Sequence, residues 1–215
     1  MKFSNFLEAH KSEFTWLFKA PLTIDNGYEI LLKPGISNID DLSYYIQKET
    51  TRANKKFAYG GYLEERKVYK NAQLFGSEEP RTIHIGLDIW CDPGTPIILP
   101  IEGYIHSFQN NRSSGDYGPT IITKHLLGKE SFFLLFGHLS HSSLFDLEEG
   151  KFIKKGEKLA DLGTFGENGN WPPHLHFQIV KDMEGYSGDY PGVARKSELN
   201  HYCDNCPDPM IIFNS

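Results

Sequence analysis

The 215-residue chain has no apolar run long enough to span a bilayer. Its longest are short, such as Phe132 to Phe136, against the ~20 residues a membrane helix requires. Cysteine is scarce: an odd total of 3 gives no disulfide framework. A basic excess is also missing. Lys+Arg number 22 against 28 Asp+Glu, a formal net charge of -6. That sign offers no general attraction to nucleic acid or anionic lipid, so neither is an expected partner. No low-complexity tract occurs, and 39% hydrophobic with 23% charged residues excludes general disorder. The N-terminal residues Met1 to Glu13 lack a secretory pattern, because Glu8, His10, Lys11 and Glu13 break any apolar stretch. With the few cysteines, this predicts a cytoplasmic protein, or an extracytoplasmic one only if a leader was removed.

What the chain does contain divides near residue 80. Before it, Phe3, Phe6, Leu7, Phe14, Leu17 and Phe18 recur at helical spacing, predicting an amphipathic helix over 3–19 ended by Pro21. A short strand over 28–32 and a helix over about 39–55, N-capped by Asn38, follow. Gly60-Gly61 marks a turn. After residue 80, short apolar runs alternate with Gly, Pro, Asn and Asp clusters. Strands are predicted near 83–89, 96–99, 102–109, 120–125, 131–137, 158–162 and 174–180. The expected architecture is mainly β, in stacked antiparallel sheets, with a mixed helical N-terminal region. That reading makes 1–80 a region packing on the core and 81–215 the domain carrying the chemistry.

Two of the histidine clusters stand apart from the rest. In Ile83-His84-Ile85-Gly86-Leu87-Asp88-Ile89, period-two alternation places His84, Gly86 and Asp88 on one strand face. The isoleucines and leucine take the other face. In His174-Leu175-His176-Phe177-Gln178-Ile179 it places His174, His176 and Gln178 together, after a stiff Pro172-Pro173 entry. Each cluster alone is also what a half-buried strand with a wet face looks like. Together they offer imidazoles and a carboxylate from separate strands. That donor set suits Zn²⁺, and three protein ligands leave a fourth position for water. His138, in Gly137-His138-Leu139-Ser140, could supply a base or electrophile beside such a site; His141 competes for that role. His10, His106, His125 and His201 read as ordinary surface or core residues. Cys203 and Cys206 lack two further ligands for a second metal site, and Cys91 reads as packing.

Taken in order, these segments resemble the lysostaphin- and LytM-type zinc endopeptidases. His84-Ile85-Gly86-Leu87-Asp88 is similar to their H-x-G-x-D motif, Gly137 to Ser140 to their H-L-S segment, and His174 to Phe177 to their H-L-H-F motif. Pro93 to Ile97 and Gly150 to Gly163 resemble two further family stretches, so the likeness runs from about Arg81 to Ile179. By position, the resemblance implies zinc ligands His84, Asp88 and His176, and a catalytic pair His138 and His174. It also implies a zinc-activated water that attacks a peptide bond, with histidine moving the proton. The implied substrate is a peptide or peptidoglycan fragment.

Tyr117, in a turn similar to the family's G-Y-G, and Trp171, bulky where the family loop is small, are the groove candidates. Trp171 to Phe177, with Tyr190 to Ala194, also looks like a peptidase-like domain of longer chains with kinase-like and aminotransferase domains. That second likeness implies a cytosolic substrate other than intact cell wall. The alternatives are a non-catalytic module of the same type that binds a peptide or protein partner, and a lipoyl-carrier-like hairpin domain. The full ligand set argues against the first, and the missing modifiable lysine tip against the second. The 1–80 region is expected to reach the groove, with Glu64, Glu65 and Asn71 as conceivable blockers.

Overall fold

A computed structural model describes residues 2–33, 35–66 and 79–213. In chain order the elements are α1 (Phe3–Ala9), β1 (Gly27–Glu29), α2 (Ile39–Arg52), β2 (Phe57–Gly60), β3 (Ile83–His84), β4 (Leu87–Trp90), β5 (Pro96–Ile98), β6 (Gly103–Asn111), β7 (Gly118–Leu127), β8 (Glu130–Gly137), β9 (Phe152–Ile153), β10 (Lys158–Asp161), β11 (Leu175–Val180), β12 (Val193–Ala194) and α3 (Leu199–Asn205). Eight strands form one sheet in the order β1-β2-β4-β11-β8-β7-β6-β9, and two small sheets pair β5 with β10 and β3 with β12. Every pairing is antiparallel except β1 with β2. The mainly β architecture of stacked sheets is therefore the one the alternating apolar runs predict. Among the described residues no helix is long and apolar enough to cross a membrane.

The period of two along β11 explains its position. Leu175, Phe177 and Ile179 enter the main core with Phe136, Leu134 and Ile121, against Ile97 and Leu159 of the small β5–β10 sheet. His176, Gln178 and Val180 face the other way, where Val180 packs with Ile85, Leu135 and Tyr190. Each fully buried side chain of this kind contributes roughly 1.5–3 kcal/mol. One sheet face is thus dry and structural, while the other carries the polar residues.

Two expectations are corrected. The helix predicted over 3–19 stops at Ala9, followed by a short 3₁₀ turn at Lys11–Glu13. Phe14, Leu17 and Phe18 are buried as predicted, but from an extended segment. Its backbone bonds to the chain near β5, with Thr15 N donating to Pro100 O and Ile98 N donating to Leu17 O. The strand predicted over 83–89 is broken at Ile85-Gly86. Its first part, β3, pairs with β12, and its second, β4, joins the large sheet between β2 and β11. Helix α2 begins as expected, with the Asn38 side chain accepting from Asp41 N at 2.8 Å.

The N-terminal region meets the chemistry-bearing strands directly. Strand β2 lies beside β4, with Gly60 opposite Asp88. The chain then turns and returns along β3: Leu63 N donates to His84 O, His84 N to Glu64 O, and Arg66 N to Thr82 O. The segment Gly61 to Arg66 is therefore a strap running beside the first histidine.

Candidate metal centre

His84 Nε2, Asp88 Oδ1 and His176 Nδ1 converge on one point. His84 Nε2 lies 3.0 Å from His176 Nδ1 and 3.2 Å from Asp88 Oδ1. His176 Nδ1 lies 3.2 Å from the same carboxylate oxygen. All three residues are buried. The sheet switch at Gly86 brings this about, delivering His84 from the β3–β12 sheet and Asp88 from the large one. Gly86 has to be small here, because a Cβ would sit 2.5 Å from the His176 ring.

The far nitrogen of each imidazole is already committed. His84 Nδ1 donates to the Gly61 carbonyl at 2.9 Å. His176 Nε2 donates to Gln178 Oε1 at 2.9 Å, and the Gln178 amide is oriented by donating to Pro191 O at 3.1 Å. In the neutral tautomers these bonds define, both inward nitrogens present lone pairs, beside a carboxylate oxygen. Three electron-rich atoms this close repel one another unless a cation lies between them, so the donor set fits a metal ion.

The protonation states agree. Burial, with the Arg66 charge beside it, pushes His84 down to about 4. Burial works against ionisation of Asp88, yet the carboxyl is held well below its usual range, with the permanently charged Arg66 guanidinium beside it. Arg66 Nη1 donates to Asp88 Oδ2 at 2.5 Å, leaving Oδ1 to the ligand set. Arg66 also bonds Glu64 through Nε at 3.1 Å and lies over the Trp90 ring. Gly61, at φ +101, has no room for a Cβ, which would overlap Arg66 Nη2. Nothing in the sequence around Arg66 marks it for this role; only the returning strap places it there.

His138 and His174 stand beside the ligand set, their ring centroids 4.1 Å apart. His138 takes φ +63 at the end of β8, and its Nδ1 donates to Asn168 O at 2.8 Å. His174 Nδ1 donates to Pro172 O at 2.6 Å, and its Nε2 lies 3.7 Å from Asp88 Oδ1. Burial pushes both imidazoles down, His138 well below the ordinary value with His174 as a second cause. Both keep an unprotonated Nε2 at neutral pH. His141 is excluded from this group: its side chain is 49% exposed and faces Glu167.

Tyr117 and Trp171 both line the cavity over the centre. The Tyr117 hydroxyl donates to Tyr190 O at 3.1 Å and lies 3.4 Å from His176 Nε2. Trp171 is held by Asn168 and packs with Val193 and Ile39. Of the conceivable blockers, Glu64 bonds Leu32 N and Arg66. Glu65 pairs outward with Lys196, and Asn71 lies outside the described residues. Gln178 shares the face of His176 as the alternation predicts; its task of fixing the His176 tautomer needed the structure.

Residues 82–187 match the model of Peptidase family M23. This stretch is similar to an M23-type peptidase domain. It encloses all five residues of the His/Asp centre. A Haemophilus influenzae protein named an uncharacterized metalloprotease is 32% identical over 96 residues, covering 45% of this chain and 18% of that protein. The chain thus spans less than a fifth of that curated relative. Solved structures resemble the chain as well. The catalytic domain of lysostaphin from Staphylococcus simulans is 16% identical over 74% of this chain and 96% of its own, with a TM-score of 0.40. A zinc-containing peptidase from Vibrio cholerae is 22% identical over 46% of this chain and 27% of its own, with a TM-score of 0.36.

Proposed function

We propose that this chain is a zinc-dependent metallopeptidase that hydrolyses a peptide bond in a peptide or peptidoglycan-type fragment. The observation that carries the reading is the convergence of two imidazole lone pairs and one carboxylate oxygen at 3.0–3.2 Å. Those separations lie close to the ~3.3 Å edge of a tetrahedron with metal–ligand distances of ~2.0–2.1 Å. His84, Asp88 and His176 would hold the ion. Zinc so held supplies Lewis acidity for a peptide carbonyl and lowers the pKa of water.

The chain's own residues do the rest. His138 and His174, unprotonated at Nε2 and buried beside the ligands, accept a proton from the attacking water and return it to the leaving amine. Their Nδ1 bonds to the Asn168 and Pro172 carbonyls hold the rings in the tautomer this needs. The Tyr117 ring lies 5.7 Å from the His138 ring and 5.0 Å from the His176 ring, and helps to exclude bulk water. A non-catalytic binding module has no use for two unprotonated imidazoles at this position. The cavity is about 210 Å³, with Leu42, Arg66, Trp171 and Tyr190 among its walls.

The test is a pair of variants assayed for zinc by atomic absorption and for hydrolysis of a peptide panel. His84→Ala is expected to lose zinc and turnover together. His174→Ala is expected to keep zinc and lose turnover by ~10²–10⁴. Loss of zinc from His174→Ala would make His174 a ligand and the division of roles wrong. Absence of hydrolysis by the zinc-replete parent across the panel would remove the peptidase reading.

A further inference from the structure

Two arginines wall the cavity over the centre, and their commitments differ. Arg66 is held by Asp88 and Glu64. Arg81 is only partly exposed, and its Nε is buried with no hydrogen-bond partner among the described residues. It forms no ion pair with a described carboxylate. A guanidinium carries its charge at every accessible pH, so it cannot relieve burial by losing a proton. Holding such a charge in a partly dry wall is unfavourable unless something anionic arrives to meet it.

Two carboxylates share the cavity wall with it, Asp116 and Asp189, and neither is ion-paired to it. The Arg81 charge reaches Asp189, but burial still pushes that carboxyl up from its ordinary range. Asp116, on the same cavity, is likewise pushed up by burial, to about 6. Arg81 stands three residues before His84 on the segment entering β3. The neighbouring Thr82 pins that backbone, its N donating to Ala194 O and its O accepting from Arg66 N. The Arg81 backbone is therefore anchored at the start of the strand that carries His84.

We propose that Arg81 is a specificity-determining residue that receives a carboxylate of the peptide substrate. The proposal deepens the peptidase reading and rests on it. A carboxylate matches the planar guanidinium fork and can take two parallel hydrogen bonds from it. The group arrives either as the peptide's C-terminus or as an acidic side chain near the scissile bond. The neighbouring walls of Tyr190, Tyr186 and Trp171 contact the apolar remainder of the peptide.

The experiment uses the zinc-loaded full chain carrying His174→Ala to suppress turnover, with calorimetric binding of four acetylated penta-alanine peptides. These are the free acid, the C-terminal amide, and the amide with a central Glu or Gln. The free acid or the Glu peptide is expected to bind about tenfold or more tighter than its neutral counterpart, in line with hydrogen bonds to a charged group. Whichever member shows the preference identifies the carboxylate's source. Arg81→Gln in the same background is expected to abolish the preference at unchanged zinc content.

A second measurement needs no ligand. Arg81→Met, which keeps the stem and removes the charge, is expected to raise the Tm of the chain by about 2–5 °C. Equal binding of charged and neutral peptides, a preference that survives Arg81→Gln, or a fall in Tm on Arg81→Met would each overturn the assignment. Parallel hydrolysis assays on the zinc-loaded parent separate the two readings. Cleavage without carboxylate preference removes the Arg81 assignment alone. Carboxylate preference without cleavage removes the peptidase reading and leaves the anion site standing.

Discussion

Replacing Arg66 with methionine removes a charge from the buried wall of the centre while keeping most of the stem. The Arg66 and Asp88 side chains are 5% and 2% exposed and form a 2.5 Å ion pair. Removing one member of a buried pair leaves the other uncompensated, at about 3–5 kcal/mol. The protein stripped of metal by a chelator should lose that amount in urea unfolding at pH 7.5. Zinc changes the account, because a divalent cation at Oδ1 also compensates the Asp88 charge. In zinc-loaded protein the destabilisation should fall to about half. By linkage, the folded Arg66→Met protein must then bind zinc more tightly than the parent, by on the order of tenfold or more. Chelator competition measures that affinity separately, so the two experiments check each other. The reasoning is refuted if the variant is equally destabilised with and without zinc, or binds zinc more weakly. In that case Arg66 acts chiefly by orienting Asp88 and not by balancing its charge.

Gln178→Leu removes the acceptor of the His176 Nε2–H bond and should weaken zinc binding about 10–100-fold in the same competition assay; an unchanged affinity would show that the tautomer is held by something else. His125 supplies a pH test away from the metal. It is buried between Thr123 Oγ1 and the Glu102 carbonyl, and burial pushes it down to about 4 from the ordinary 6.5. The unfolded chain therefore binds the extra proton first. The stability this group contributes is complete above pH ~6.5 and is lost as pH falls towards 4, by about 3 kcal/mol. Urea unfolding at pH 7.5 and pH 4.5 should show a decrement about 2–3 kcal/mol smaller in His125→Gln than in the parent, and equal decrements would contradict the assignment.

The pairing of His174 with His176 on one face follows from alternation along β11, and alternation also groups His84 with Asp88, although here the switch at Gly86 and not a continuous strand brings those two together. The break at Gly86 was not legible. An apolar residue at every second position reads the same on one long strand as on two short ones that pair with different sheets. The extended run through Phe14, Leu17 and Phe18 was missed for a related reason. Their spacing fits a helix face, and only the backbone bonds to the β5 region decide otherwise. Arg66 and Arg81 carried no local signal. Arg66 meets Asp88 because a strap folds back across 22 positions, and the Arg81 Nε is left without a hydrogen-bond partner among the described residues.

Three of the four imidazoles in the centre are set by main-chain carbonyls, those of Gly61, Asn168 and Pro172. A carbonyl is present whatever side chain its residue bears. The loops around the centre can therefore exchange side chains without rewriting which nitrogen carries the proton. What they cannot change freely is their path. An insertion of one residue before His174, or a glycine lost from the strap, would move an acceptor by several ångströms and free an imidazole to adopt its other tautomer. For engineering, the tolerant alphabet of these loops is wide and their tolerated length is narrow. A library that varies Asn170 and Trp171 at constant length should retain zinc far more often than one that varies loop length.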